Sequence, residues 1–293
     1  MNDQSLAPIR VPALLKKYGL RPSKGLGQNF LVDENALLKI LNTAEITDSD
    51  LILEVGPGLG SLTRYLGTAA RKVVAVELDN RLLPALHETL ASFKNVEIIV
   101  GDILEQNPID LLFSDQQSAL SDQPTYKVVA NIPYYITSAL IRHLLEAEIQ
   151  PNSMVLTLQK EVAQRICAQP PKMSLLALSV QVFGQPKIAA KIPAGAFYPI
   201  PSVDSSVIKI KLYPDSLISR HLLPDFFLLA KAGFSQKRKT LRNTLAAGMH
   251  WPKDQAVAIL TEADIDPQRR AQTLSLKEWK ALTISATCST NRL

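Results

Sequence analysis

The stretch from Leu51 to Gly60, LILEVGPGLG, constrains the fold of this chain more than any other. It holds a short apolar run, an acid, and then glycines at positions 56, 58 and 60 that open into a segment with helical spacing. This order is typical of a buried parallel strand that turns sharply into a helix. Glycine permits the unusual backbone angles of such a turn and the close approach of a ligand, and a helix start offers unpaired N–H groups. The stretch therefore predicts a cofactor loop that uses Gly56 and Gly58.

The residues at three successive strand ends indicate which cofactor is bound. A dinucleotide fingerprint needs its third glycine, or a similarly small residue, three places after the second. Here Ser61 stands at that position and Gly60 comes one place early, so the spacing disfavours a dinucleotide with its pyrophosphate. The next predicted strand ends in Glu77, which suits the diol of a ribose, and the one after it ends at Asp102. Glycines followed by two carboxylates fit S-adenosylmethionine, an adenosine with a charged amino-acid tail. Taken singly, each feature equally suits an ordinary turn or a solvated strand end.

The alternation of strands and helical segments predicts an α/β fold with a parallel, right-handed sheet. After Tyr213 the character changes, and from Asp215 onward only helical patterns occur. We expect an S-adenosylmethionine-binding domain over 1–213, with an N-terminal arm at 1–30, and a small all-helical domain over 214–293. A polar insert at 107–125 is predicted to be a short helix or loop without an assignable role.

The segment NIPYYIT at 131–137, just beyond the fourth predicted strand, is the second chemical centre. The exocyclic amine of a nucleobase is a poor nucleophile because its lone pair is delocalised into the ring. The amide oxygen of Asn131 and a backbone carbonyl stiffened by Pro133 could accept both N–H groups and direct that lone pair, while Tyr134 stacks on the ring. Phe197 could cover the other face of the base, although a lone aromatic among prolines also suits core packing.

A basic cluster in the second half of the chain is the predicted contact surface for a nucleic acid. A target base inside a duplex must be unstacked or presented in a loop to reach such a pocket. The cluster has Phe234 interleaved and comprises Lys231, Lys237, Arg238, Lys239 and Arg242. Charge runs are also common on solvated helix faces, so both phosphate contact and simple solvation remain open.

Composition excludes several classes of protein. The hydrophobic content of 46% is ample for a large core, and the net charge of +5 permits a polyanionic partner. Two distant cysteines indicate neither a disulfide framework nor a metal site. The sequence contains no run long enough for a membrane span and no apolar signal segment, so we expect a cytoplasmic protein that does not bind membranes.

The motifs together resemble the rRNA adenine N6-dimethyltransferase family that acts on small-subunit rRNA. The resemblance runs from about Leu26 to Leu274. It is carried by GQNFL at 27–31, EVGPGLGSLT at 54–63, Glu77, GD at 101–102, NIPY at 131–134, QKEVAQR at 159–165, FYPIPSVDS at 197–205 and FSQKRKTLRN at 234–243. Two positions depart from the family pattern, in which an asparagine stands at Tyr135 and a YG-x-L segment at 172–176.

The resemblance implies a Rossmann-like, seven-stranded methyltransferase sheet with a helical C-terminal domain. It implies a monomeric enzyme that uses S-adenosylmethionine to dimethylate two adjacent adenines in the 3′-terminal hairpin of 16S rRNA, in the immature 30S subunit, during ribosome biogenesis. It adds Asn29 and Leu31 to the expected cofactor contacts, and gives Asn131 a share in both cofactor and base binding.

Two other functions stay open from the residues. A large-subunit (23S) rRNA adenine methyltransferase shares the cofactor and NIPY motifs, but QKEVAQR and RRAQTLS at 269–275 resemble the small-subunit enzymes. A non-catalytic assembly or transcription factor could keep the same fold. The intact set of Gly56, Glu77, Asp102 and Asn131 favours retained catalysis.

Overall fold

The computed structural model describes residues 6–113 and 125–290. The chain divides into two compact units, of which the larger runs to Ala163 and resumes over Lys187–Leu212, while the smaller comprises Gln164–Pro186 and Tyr213–Leu293. The sequence places all of 1–213 in one domain, whereas the structure groups residues 164–186 with the helical residues. The reason is backbone pairing, since Met173 N–H donates to the Gln272 carbonyl at 3.0 Å.

Strands and helices alternate through most of the chain. The strands are β1 Phe30–Leu31, β2 Leu51–Val55, β3 Lys72–Glu77, β4 Val96–Val100, β5 Lys127–Asn131, β6 Ser153–Gln159, β7 Gly184–Ile192, β8 Phe197–Tyr198 and β9 Ser205–Leu212. The helices are α1 Val11–Lys17, α2 Glu34–Ala44, α3 Ser61–Ala69, α4 Leu83–Leu90, α5 Pro108–Phe113, α6 Thr137–Glu146, α7 Lys160–Ile166, α8 Leu175–Gln181, α9 Leu223–Phe234, α10 Leu241–Gly248, α11 Lys253–Glu262 and α12 Leu276–Thr290.

The larger unit is built on a seven-stranded sheet with the order β4-β3-β2-β5-β6-β9-β7. Neighbours from β4 to β6 pair in parallel, and β9 pairs antiparallel to β6. The register sets Val55 beside Val76 and Glu77 beside Val100, so the carboxyl ends of these strands lie along one edge. Ligands bind at this edge of open α/β sheets. The predicted Rossmann-like sheet is confirmed.

Burial explains why the central strands are mostly apolar. Every residue of β2 is buried, as expected for a parallel strand covered on both faces. Helix α2 begins at Glu34 and is capped by Asp33, whose side chain accepts the N–H of Ala36 at 2.7 Å. Leu37 and Ile40 of this helix then pack in one cluster with Val155 of the sheet.

The smaller unit is helical, and residues 213–290 form no strand. Its core includes Trp279 and Phe226, both fully buried. Helix α9, Leu223–Phe234, is the first long helix in the region after Asp215 where only helical patterns are predicted. Of the polar insert predicted at 107–125, residues 108–113 form α5, and 114–124 lie outside the described residues.

Candidate active site

A cavity of about 250 Å³ lies at the carboxyl edge of the sheet. The residues predicted to act in cofactor binding or catalysis all line it: Asn29, Leu31, Gly56, Gly58, Glu77, Asp102, Asn131, Pro133, Tyr134 and Phe197. They come from four strand ends, the N-terminal segment and the loop that starts with β8. The structure therefore brings the predicted set together, while the role of each residue stays a prediction.

The turn between β2 and α3 exposes backbone toward the cavity. Gly56 and Gly58 have φ angles of +69° and +61°, which side chains other than glycine rarely adopt. A Cβ on Gly58 would also lie 3.0 Å from the Phe30 ring. Glycine is thus required at position 58 both by its backbone angles and by the close packing of the preceding segment.

Glu77 connects the ends of two strands. Its Oε2 accepts the N–H of Gly58 at 2.9 Å, and its Oε1 accepts the N–H of Asp79 at 2.8 Å. Only 6% of the residue is exposed, and burial raises the pKa of its carboxyl, an effect that the two N–H groups oppose. Each oxygen keeps a lone pair for a further donor, such as a ribose hydroxyl.

Asp102 follows the next strand and also has a structural role. Its Oδ1 accepts the N–H of Leu104 at 2.9 Å and so caps the short helical turn Ile103–Glu105. The carboxylate is half-buried and lines the cavity. Capping fixes its orientation without using all of its acceptor capacity.

Glu54 is a cavity residue to which the sequence analysis assigns no role. It is 1% exposed, and its Oε2 has no hydrogen-bond partner among the described residues. Burial raises the pKa of Glu54 to about 8, an effect that the nearby Thr63 hydroxyl opposes and to which the charge of Glu77 adds. A buried acceptor without a donor calls for an explanation. The sequence feature that could have pointed to Glu54 is an acidic residue inside the otherwise apolar strand LILEV.

The segment before β1 forms a fixed wall of the cavity. The amide of Gln28 donates to Asp79 at 2.8 Å, and Asp79 pairs with Arg81 at 2.7 Å. The two-residue strands β1 and β8 pair antiparallel, with Leu31 opposite Phe197. The segment lines the cavity from Leu26 to Leu31, which includes the expected cofactor contacts Asn29 and Leu31.

Asn131 and Tyr134 are held by hydrogen bonds that leave their predicted functional groups available. The Asn131 amide nitrogen donates to the Asn29 carbonyl at 3.2 Å, so the amide oxygen is the atom left to accept from a ligand. The Tyr134 hydroxyl lies 2.8 Å from the Ser205 hydroxyl, and burial raises its pKa. Pro133 completes the turn, because its carbonyl accepts the N–H of Ile136 at 3.2 Å.

Two further aromatic residues border the cavity in different ways. Phe197 is buried, with 3% exposed, and also lines the cavity. Core packing and covering of the base are therefore both compatible with its position. Tyr135 is 56% exposed, and its ring lies 3.4 Å from the position a Cβ on Gly27 would take. Burial, together with the charges of Asp102 and Glu77, raises the pKa of Tyr135.

The basic cluster belongs to the smaller unit. Lys231 is exposed on α9, and Lys237, Arg238 and Lys239 are exposed in the loop before α10. Arg242 differs, because it is half-buried and its Nε has no hydrogen-bond partner among the described residues. Phe234, predicted to be interleaved with the charges, stacks on Trp279 with ring centroids 5.7 Å apart. Its contact is therefore internal packing.

The described residues contain neither a membrane-spanning helix nor a cluster of metal-binding side chains. No helix within 6–113 and 125–290 is long and apolar enough to cross a membrane. In the same ranges no three His, Cys, Asp or Glu side chains cluster closely enough to hold a metal ion.

The sheet order and the cavity at its carboxyl edge define a Rossmann-like methyltransferase. A family model described as ribosomal RNA adenine dimethylase matches residues 20–282, and the chain belongs to that family. Membership makes the protein an adenine dimethylase of ribosomal RNA.

Individual relatives agree with this assignment. The chain is 44% identical over 288 residues to the ribosomal RNA small subunit methyltransferase A of Dehalococcoides mccartyi, with 96% of each chain covered. It resembles the crystal structure of a dimethyladenosine transferase from Plasmodium falciparum with a TM-score of 0.74 at 24% identity, covering 89% of this chain and 98% of that one. It resembles the 23S rRNA methyltransferase ErmE with a TM-score of 0.69 at 26% identity, covering 88% and 99%.

Proposed function

We propose that this enzyme uses S-adenosylmethionine to dimethylate N6 of two adjacent adenines in the 3′-terminal hairpin of small-subunit rRNA. It acts in the cytoplasm, as a monomer, on immature small subunits during ribosome biogenesis. The proposal depends mainly on one observation. A single cavity is lined by Gly56, Glu77, Asp102, Asn131 and Tyr134. The identity of 44% to a small-subunit methyltransferase, against 26% to the 23S methyltransferase ErmE, supports the choice of rRNA.

The cavity residues fit S-adenosylmethionine. Glu54 supplies a buried carboxyl oxygen without a hydrogen-bond partner among the described residues, and the ammonium group of the amino-acid tail would favour its ionised form. Gly56 and Gly58 let backbone approach the ligand, and Glu77 and Asp102 supply acceptors for the ribose and the adenine amine. Bound there, the cofactor supplies a methyl group on a positively charged sulfur.

Asn131 and Tyr134 would act on the target adenine. The Asn131 oxygen accepts an N–H of the adenine amine and favours the pyramidal nitrogen whose lone pair can attack. The Tyr134 ring holds the base by stacking. Phe197 and Pro133 bound the space in which the base must lie. Because charge disappears from sulfur in the transition state, alignment and exclusion of water supply most of the rate enhancement.

Methyl transfer to purified ribosomal subunits tests the proposal. Small subunits and large subunits from cells that lack this enzyme are incubated with the protein and labelled S-adenosylmethionine. Modified nucleotides are then located by mass spectrometry of rRNA digests. We expect N6,N6-dimethyladenosine at two adjacent positions of the small-subunit rRNA only.

The control is Asn131→Ala, which should bind subunits normally and transfer no methyl groups. Methylation of the large subunit would contradict the choice of rRNA. Full activity of Asn131→Ala would remove this residue from the mechanism.

A further inference from the structure

The loop Phe197–Ser205, called the rim loop below, is attached to the cavity at both ends. At its start Phe197 lines the cavity, and Tyr198 pairs with Phe30, another lining residue. At its end the Ser205 hydroxyl lies 2.8 Å from that of Tyr134, which also lines the cavity. The loop therefore runs along the edge of the cavity from one wall to another.

The rim loop exposes apolar side chains that a soluble protein would ordinarily bury. Ile200 is 70% exposed, more than any other large apolar residue among those described, and Tyr198 and Val203 are 39% and 43% exposed. Ile200 is three residues from Phe197, so its Cα lies within about 11 Å of the Cα of that cavity residue. Exposed apolar side chains grouped beside a site mark a contact surface.

The rim loop is also held rigid. Pro199 and Pro201 fix their own φ angles and restrict the residues before them, which are Tyr198 and Ile200. The Asp204 side chain accepts the N–H of Ala194 at 3.0 Å, and the Asp204 carbonyl accepts the N–H of Lys160 at 3.0 Å. A rigid apolar projection loses little conformational entropy when it binds a partner.

Charge near the rim loop indicates the partner. Lys160 and Lys191 are both exposed. Lys160 contacts Asp204 through its backbone, and Lys191 lies three residues before Ala194. Neither lysine forms a salt bridge within the described part of the chain. The exposed carboxylates of Glu161 and Asp204 lie on the same segments, so the surface carries both signs of charge. An apolar tip whose flanking segments carry unpaired lysines suits stacked bases, with the lysines available to phosphates.

We infer that Ile200 is an unstacking wedge, which contacts the nucleotides beside the target adenine and fills the space that the adenine leaves. The inference rests on the proposed function, because an adenine must leave its stack to reach Asn131. Removing a base from a stack costs a few kcal/mol, and apolar side chains inserted between bases offset that cost in other nucleic-acid-binding proteins. Ile200 is a positioning residue and does not touch the reacting atoms.

The test compares Ile200→Ser and Ile200→Leu with the native enzyme on unmethylated small subunits. Leu38→Ser is the matched control, because Leu38 is 42% exposed on α2 and does not line the cavity. We measure kcat, KM for subunits, and the Kd for S-adenosylhomocysteine by calorimetry. A wedge predicts that Ile200→Ser lowers kcat about tenfold or more, because the target base leaves its stack less readily. KM and Kd should stay within about threefold of native values, and Ile200→Leu and Leu38→Ser should retain activity.

A native kcat for Ile200→Ser would overturn the inference. So would a loss of kcat accompanied by an equal loss of S-adenosylhomocysteine binding, which would indicate damage to the cavity. Absence of methyl transfer by the native enzyme would instead contradict the proposed function, so the two failures are distinguishable.

Discussion

The carboxylate of Glu77 accepts the backbone N–H of Gly58 at 2.9 Å. This bond joins the end of β3 to the turn after β2, so the predicted ribose-binding side chain and the glycine turn form one unit. The donor is a backbone N–H, so the bond depends on the backbone conformation at position 58 and on the length of the side chain at position 77. Changes at either position should affect the other.

Gly58→Ala should reduce cofactor affinity. Alanine is strained at a φ of +61°, and its Cβ would lie 3.0 Å from Phe30, so the turn must shift and weaken the bond to Glu77. We expect the Kd for S-adenosylhomocysteine to rise about tenfold or more, measured by calorimetry, together with a lower Tm. Gly195→Ala is the control, since nothing lies within 4 Å of its added Cβ. Equal effects of the two substitutions would contradict this account.

Glu54→Gln should change how stability depends on pH. The carboxyl titrates near 4.5 when unfolded and near 8 when folded, so between these values the unfolded state has released a proton that the folded state keeps. The free energy of unfolding therefore falls as pH rises, by up to about 1.4 kcal/mol per pH unit from this group. Glutamine does not titrate, so Glu54→Gln should remove this fall in the free energy of unfolding.

The measurement for Glu54 is thermal unfolding of the native protein and Glu54→Gln without ligand. The Tm of the variant minus that of the native protein should be larger at about pH 8.5 than at about pH 5. Glu97→Gln, at a surface ion pair with Lys72, is the control and should show no such trend. A difference independent of pH would mean that Glu54 is not buried as a neutral acid.

Tyr134 should act through its ring more than through its hydroxyl. Tyr134→Ala removes the stacking surface, worth about 1 to 3 kcal/mol per base, and should lower kcat/KM for small subunits about tenfold or more. Tyr134→Phe removes only the hydrogen bond to Ser205 and should stay within about threefold of the native value. Steady-state methyl transfer distinguishes the two variants. A larger loss for phenylalanine than for alanine would exclude a stacking role.

The exposed charges before α10 should contribute phosphate contacts. Replacing Lys237, Arg238 and Lys239 with alanine should weaken rRNA binding and reduce the slope of log K against log salt by about one per lost contact. Filter binding at several salt concentrations gives the slope, and the affinity for S-adenosylhomocysteine should not change. An unaltered salt slope would mean that these charges are only solvated.

Local patterns in the sequence predicted the cavity well because its residues follow strands. Once parallel strands are recognised, Glu77 and Asn131 must reach the same edge of the sheet, whatever separates them along the chain. Glu54 had no assigned role because its significance depends on a missing hydrogen-bond partner, which only coordinates reveal. The packing of Phe234 on Trp279 joins residues far apart in sequence and was equally inaccessible.

The departures from prediction arise from long-range contacts. Residues 164–186 group with the helical unit because they pair with segments after 213, as in the bond from Tyr213 N–H to the Phe183 carbonyl at 2.9 Å. The strands β1 and β8 are two residues each and show no periodic pattern, so their pairing could not be read from the sequence. That pairing attaches the rim loop to the N-terminal segment.

The central claim is that four strand ends together bind S-adenosylmethionine, and calorimetric titration tests it most directly. The native protein should bind one equivalent, and Glu77→Ala should lower the affinity about a hundredfold, since it removes a buried acceptor and the support of Gly58. Unchanged affinity in Glu77→Ala, or no binding by the native protein, would contradict the account.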